Sequence, residues 1–281
     1  ICGMPHPLRA CAGFLPRHHM RLIDTHCHLD FPEFASDLDD VLRRAAAEGV
    51  SAVITVGTSV ESSRRCVELA HRYPGVFASV GVHPSEATSS GASAFKELKA
   101  LLRDGKVVAV GETGLDYHYG RDCAQLQKEM FRHHLALAAD AGLPVIVHQR
   151  ESARDVMEIL DTFPSRMKVV FHCFGGDTEL AAFCKEKGYF VSFAGILTFS
   201  NAEYVRAVAR EFPLDGVLIE TDAPYLSPAP LRGRRNEPGR VRLVLEKLSA
   251  LRSLDCEECA ERLWSNASAF FGLPLDGGLL G

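Results

Sequence analysis

Pro144-Val145-Ile146-Val147-His148 is a short β-branched run that ends abruptly in an imidazole. Such a run, bounded by proline and too short for a helix, reads as a strand buried on both faces. A helical pattern precedes it over 123–141 and another follows over 153–162. The repeating unit is thus a buried strand between helices, with a side chain capable of chemistry at the strand's C-terminal end.

The same unit recurs on both sides. Strands are expected over 22–25, 52–56, 76–80, 107–110, 145–147, 169–171, 190–192 and 217–220. Helices are expected over 37–48, with Leu38, Val41, Leu42 and Ala45 on one face, and over 62–72, 123–141, 153–162, 179–187 and 202–211. Two more, 240–251 and 257–270, follow the eighth strand and complete an outer layer. Eight βα repeats without a reversal predict an α/β chain forming a single (β/α)₈ TIM barrel rather than an open doubly wound sheet.

The bulk figures agree with one domain. The chain has 281 residues, 47% of them hydrophobic, enough to bury a large core. The barrel is expected over 20–273, with a loose extension at 1–19 and a tail at 274–281. Residues 1–19 mix Pro, His, Arg and Cys without a long apolar run, so they read as neither signal peptide nor membrane span, and Met20 stands just before the first strand. A net charge of −5 with 24% charged residues excludes a disordered chain and a broadly basic nucleic-acid surface, so any polyanion must be gripped locally. Nine scattered cysteines, an odd number, fit a reducing, cytoplasmic setting better than a disulfide framework. Cys256 and Cys259 form a CxxC without a second Cys or His pair and read as helix surface.

The chemistry lies at the strand ends, where barrel enzymes keep it. The first strand ends in Asp24-Thr25-His26-Cys27-His28, and alternation puts His26 and His28 on one side. The fourth ends in Gly111-Glu112, the fifth in His148, the sixth in His172 and the eighth in Glu220-Thr221-Asp222. Six nitrogen and oxygen donors from five strands exceed the needs of one tetrahedral ion and suit two divalent ions. Glu112 is expected to bridge, with His26 and His28 at one ion, His148 and His172 at the other, and Asp222 binding metal while accepting a proton from water. Such donors accept Zn, Mn, Fe, Co or Ni, whereas Mg is less natural with four imidazoles. The remaining histidines, including His118, His133 and His134, read as tail, surface or helix residues.

Substrate signals surround these donors. Leu231 to Arg240 carries Arg232, Arg234, Arg235 and Arg240 just beyond Asp222, and forked guanidinium donors match phosphate oxygens. Arg150 faces the same mouth, and His83, in Gly81-Val82-His83-Pro84, is a candidate substrate-facing donor. Tyr117, Phe174 and Tyr225 follow strand ends and are candidates for stacking on bases.

Asp24-Thr25-His26-Cys27-His28-Leu29-Asp30, Gly81-Val82-His83-Pro84, Gly111-Glu112-Thr113-Gly114-Leu115-Asp116-Tyr117 and Glu220-Thr221-Asp222-Ala223-Pro224-Tyr225-Leu226 together resemble the TatD-type metal-dependent deoxyribonucleases. Pro144 to His148, His172-Cys173-Phe174 and the spacing from Arg232-Gly233 to Asn236 to Pro238 extend the resemblance from about Met20 to Phe271. It implies an amidohydrolase-like barrel, two divalent metals on the six donors, Arg232 and Asn236 at the substrate, and hydrolysis of DNA phosphodiesters, often as a 3′-5′ exonuclease. Gln149 departs from the small residue the family usually has before Arg150. The expected partner is DNA or another phosphodiester, with no membrane and no obligatory protein partner. Ester or amide hydrolysis on the same site, including an aminoacyl-tRNA ester, is the nearest alternative, and a catalytically silent metal- or nucleic-acid-binding protein is another.

Overall fold

Eight parallel strands alternate with helices in the computed structural model, which describes residues 20–273 apart from 90, 92 and 165, together with Leu280. The expected extension at 1–19 and nearly all of the expected tail lie outside the described residues. The strands are β1 (Leu22–Cys27), β2 (Val50–Val56), β3 (Val76–Val80), β4 (Val107–Asp116), β5 (Val145–Arg150), β6 (Val169–Phe171), β7 (Phe190–Phe193) and β8 (Val217–Ile219). The helices are α1 (Leu38–Ala47), α2 (Val60–Arg72), α3 (Ser93–Leu101), α4 (Tyr117–Gly120), α5 (Ala124–Ala141), α6 (Ala153–Leu160), α7 (Thr178–Lys187), α8 (Glu203–Glu211), α9 (Val241–Arg252) and α10 (Cys256–Phe271). Each strand pairs with its sequence neighbour from β1 to β8, giving the (β/α)₈ barrel.

The ring closes at the functional end. β1 and β8 meet through a bridge between Cys27 and Ala223 rather than a ladder. Asp222 N–H donates to His26 O at 2.9 Å and His28 N–H donates to Ala223 O at 2.8 Å. The backbone bonds that shut the barrel therefore fix the spacing of His26, His28 and Asp222.

Two buried clusters hold the layers. The larger joins strand residues such as Val53, Val110 and Val147 to the apolar stripes of the helices. The smaller takes Ile23, Ile54, Phe77, Ala109, Ile146, Val170 and Leu218 from seven strands, with Phe270, Phe271 and Leu273 at the end of α10. Local signals set the helix limits. Asp177 caps α7 by accepting from Leu180 N–H at 3.0 Å, and α7 ends at Gly188 with φ 68°. Among the described residues no helix is long and apolar enough to cross a membrane.

The largest departure from the expected elements is β4, which continues six residues beyond Val110 to Asp116. Gly111 and Gly114 interrupt the apolar run that marks a strand, yet both have positive φ (145° and 137°), and a Cβ on Gly111 would stand 2.6 Å from Ile146 O. The glycines let β4 press against β5 and carry Glu112 inside the strand instead of at its end. Helix α3 also falls in a stretch where no helix was expected.

Candidate metal centre

Glu112 is where the site converges. Its Oε2 lies 3.4 Å from His26 Nε2 and 3.9 Å from His28 Nε2. Its Oε1 lies 2.7 Å from His172 Nε2 and 2.9 Å from His148 Nδ1. One carboxylate thus faces two imidazole pairs, one with each oxygen. Asp222 Oδ1 approaches the first pair, at 3.5 Å from His28 Nε2 and 3.8 Å from His26 Nε2.

The remaining edges of these rings determine which nitrogens face inward. His28 Nδ1–H donates to Val56 O at 2.9 Å, so Nε2 turns a lone pair toward His26 Nε2, 3.3 Å away. His148 Nε2–H donates to Asp116 Oδ2 at 3.1 Å, so Nδ1 turns its lone pair toward Glu112 and toward His172 Nε2, 3.1 Å away. Lone pairs directed at one another and at a carboxylate repel unless a proton or cation lies between them. The buried Nδ1 atoms of His26 and His172 have no hydrogen-bond partner, although Glu220 Oε1 comes to 3.4 Å of the latter.

The titration behaviour of the free protein has the same origin. Burial alone would lower the His28 pKa, but its bond to Asp222 and the charge of Glu112 raise it to about 9. His172 is raised well above the usual range because Glu112 overcomes its desolvation. Burial would raise Glu112, yet the charge of His172 and the bonds from His148 and His172 hold it well below the usual carboxylate range. When no metal competes, the pocket's negative potential draws protons onto His28, His148 and His172, whereas burial keeps His26 below its usual range. Nitrogen and carboxylate donors with that field fit divalent cations, and His26–His28–Glu112 and Glu112–His148–His172 are each clustered within 4.8 Å. Two further clusters, His26–His172–Asp222 and His83–Asp116–His148, were not foreseen.

Several residues around the donors escaped the sequence reading. Asp24 is fully buried and accepts from Thr221 Oγ1 at 2.6 Å and Thr221 N–H at 2.8 Å, tying β1 to the residue before Asp222. Phe31 stacks on the His28 ring at 4.7 Å. Asp116 appeared only as a motif letter, and its contact with His148 depends on β4 running past Glu112.

The expected substrate residues divide. His83 Nε2 points into the site, 3.6 Å from Glu112 Oε1. Its Nδ1 accepts from Ser85 N–H at 3.1 Å, and burial pulls its pKa down to about 4, so the ring is neutral with its Nε2–H aimed inward. Arg150 is exposed just beyond His148, and Arg232 is exposed with its guanidinium 3.4 Å above the Phe199 ring. Asn236 is not in the mouth: it is fully buried and its amide donates to Thr221 O at 2.9 Å and Tyr225 O at 2.7 Å. Arg235 and Arg240 turn inward as well, to Asp37 (2.7 Å) and Ser227 (2.5 Å). Tyr117 donates to Asp155 at 2.5 Å and Phe174 is buried, leaving Tyr225 as the exposed member of the three aromatic candidates. Gln149, with its amide oriented to satisfy both ends, accepts from Ser152 N–H and Ala153 N–H at 3.1 and 3.0 Å. Its size serves the start of α6.

The sequence pattern of the family described as "TatD related DNase" matches residues 23–272. An uncharacterized metal-dependent hydrolase, YabD of Bacillus subtilis, is 39% identical over 251 residues, covering 89% of this chain and 98% of YabD. The crystal structure of YJJV, a TatD homolog from Escherichia coli, superposes with TM-score 0.85 at 33% identity, covering 90% of this chain and 98% of that one. An uncharacterized amidohydrolase from Saccharomyces cerevisiae shares the fold at TM-score 0.78 and 19% identity, over 90% of this chain and all of that one. The chain belongs to the TatD-related family, and it shares its barrel fold with that amidohydrolase.

Proposed function

We propose that this member of the TatD-related family is a divalent-metal-dependent hydrolase that cleaves phosphodiester bonds of DNA. The observation that carries the reading is the division of Glu112 between two imidazole pairs, 2.7 Å from His172 through one oxygen and 3.4 Å from His26 through the other. His26, His28 and Asp222 would hold one ion and His148 and His172 the other, with Glu112 common to both. Two such ions supply Lewis-acid polarisation of a phosphoryl oxygen and a water acidic enough to lose its proton near neutral pH. The mixed nitrogen and oxygen donors favour Zn, Mn, Fe, Co or Ni over Mg.

The protein's own groups divide the remaining work. Asp222 Oδ1 sits at the rim of the first imidazole pair, where it orients the attacking water and accepts its proton. The neutral His83 directs an N–H toward the space above Glu112, suited to a phosphoryl oxygen. Arg150 and Arg232 stand exposed around the mouth, and fixed cations there complement the charge that develops on phosphate. The family description as a DNase and the naming of YabD as a metal-dependent hydrolase support the reading.

The test is degradation of end-labelled single-stranded DNA by metal-stripped protein after adding back Mg²⁺, Mn²⁺, Co²⁺ or Zn²⁺, with Asp222→Ala in parallel. Metal-restored shortening that the variant lacks is expected, and the ladder reveals whether cleavage runs 3′-5′. Silence toward DNA alongside metal-restored cleavage of a carboxylic ester or an aminoacyl-tRNA would reassign the substrate and leave the ion-binding assignment in place.

A further inference from the structure

Two tight turns follow the donors of the first imidazole pair, and each carries an aromatic ring three residues on. Phe31 N–H donates to His28 O at 3.2 Å, and Tyr225 N–H donates to Asp222 O at 2.9 Å. The turns meet at the β1/β8 seam, where the two rings lie 6.1 Å apart, edge against face at 75°. Phe31 is itself seated on the His28 ring, and the Tyr225 carbonyl is gripped by Asn236. Tyr225 is nevertheless 51% exposed. A large ring held rigidly in water beside a reaction centre gains little from folding, but it offers a preordered face to a planar ligand.

The charges around the mouth give the ligand a direction. Beyond Phe31, between α1 and α2, runs a groove of about 560 Å³ lined by five carboxylates and three arginines. The three arginines of that groove are paired with Asp40, Asp30 and Asp39, so it offers a polyphosphate chain little net attraction; Arg150 lies beyond β5, across the barrel from the seam, and Arg232 lies over Phe199 beyond β7. We infer that Phe31 and Tyr225 form a nucleobase-stacking shelf for the nucleotide next to the scissile bond, while the rest of the strand leaves over Arg150 and Arg232. This rests on the nuclease reading above and adds how a nucleotide is oriented on the site.

The experiment compares metal-loaded wild type, Tyr225→Ala and Tyr225→Phe on single-stranded oligonucleotides that end in a normal or an abasic 3′ nucleotide. Tyr225→Ala is expected to raise KM for the normal end roughly 5- to 150-fold, the range for one lost stack, with kcat little changed. Tyr225→Phe should match wild type, and on the abasic end all three proteins should agree within about twofold. Equal losses on both ends, or no loss on the normal end, would overturn the shelf and leave the nuclease reading intact. Failure of wild type to cut either oligonucleotide with any metal would overturn both.

Discussion

Asp116 holds a carboxylate oxygen 3.1 Å from His148 Nε2, on the edge of the ring turned away from Glu112. A carboxylate behind a ligating imidazole fixes its tautomer and increases the basicity of the opposite nitrogen, and loss of such partners typically costs 10–100-fold in metal affinity or activity. Asp116→Ala is therefore expected to weaken the ion proposed for His148 and His172 by roughly 10- to 100-fold in Mn²⁺ or Zn²⁺ titrations, with Asp116→Asn in between. Wild-type affinity in a folded Asp116→Ala protein would remove Asp116 from the metal assignment.

Glu112→Gln tests the shared carboxylate with almost no change in volume. Both imidazole pairs lose their common anion, so metal content measured by elemental analysis should fall for both ions and turnover by at least about a thousandfold. Asp222→Asn removes a carboxylate at the rim instead. It should keep the ion between His148 and His172 while losing roughly 10²- to 10⁴-fold in kcat, the range for a missing general base. If the two variants kept the same metal content, their assigned roles would not be separable as described.

The contrast between these residues shows what could be read in advance. His26, His28, His148, His172 and Asp222 follow apolar strands directly, and strand periodicity is a local signal, so their convergence at one face could be foreseen. Glu112 was placed at a strand end because Gly111 and Gly114 break the hydrophobic pattern, although their positive φ values keep β4 going. Asp116 and Phe31 could not be ranked, since a contact such as Asp116 to His148 spans 32 residues and depends on strand register. The basic loop misled for the same reason. Arg235 resembles its neighbours in sequence, but its partner Asp37 lies 198 residues away.

Asn236 gives that lesson a measurable form. Its buried amide joins Thr221 O to Tyr225 O across the turn that carries Asp222, whose φ is 56°. Asn236→Ala leaves two carbonyls short of donors and should cost roughly 1–3 kcal/mol of stability in urea unfolding. Because the buried amide acts through the turn and not at the mouth, kcat is expected to fall through Asp222 and KM to rise through Tyr225, whose carbonyl the amide holds. A rise in KM with both kcat and stability unchanged would return Asn236 to direct substrate contact.

His134 sets a pH limit on the stability of the His83 loop. On α5 it is fully buried, donates from Nδ1 to Met130 O at 2.8 Å, and accepts from Val82 N–H through Nε2 at 3.0 Å. Burial pulls its pKa down to about 4, against about 6.5 in the unfolded chain. Between those values the unfolded state binds the proton and the folded state does not, so the contribution is fully present above pH 6.5 and lost as pH falls toward 4. The difference corresponds to roughly 3 kcal/mol. His134→Gln can still accept from Val82 but does not titrate, so its unfolding free energy should depend less on pH across that window than wild type's. Metal-linked effects at the six donors act on both proteins and cancel in the comparison; parallel curves from pH 7.5 to 4.5 would show that protonation of His134 does not limit acid stability.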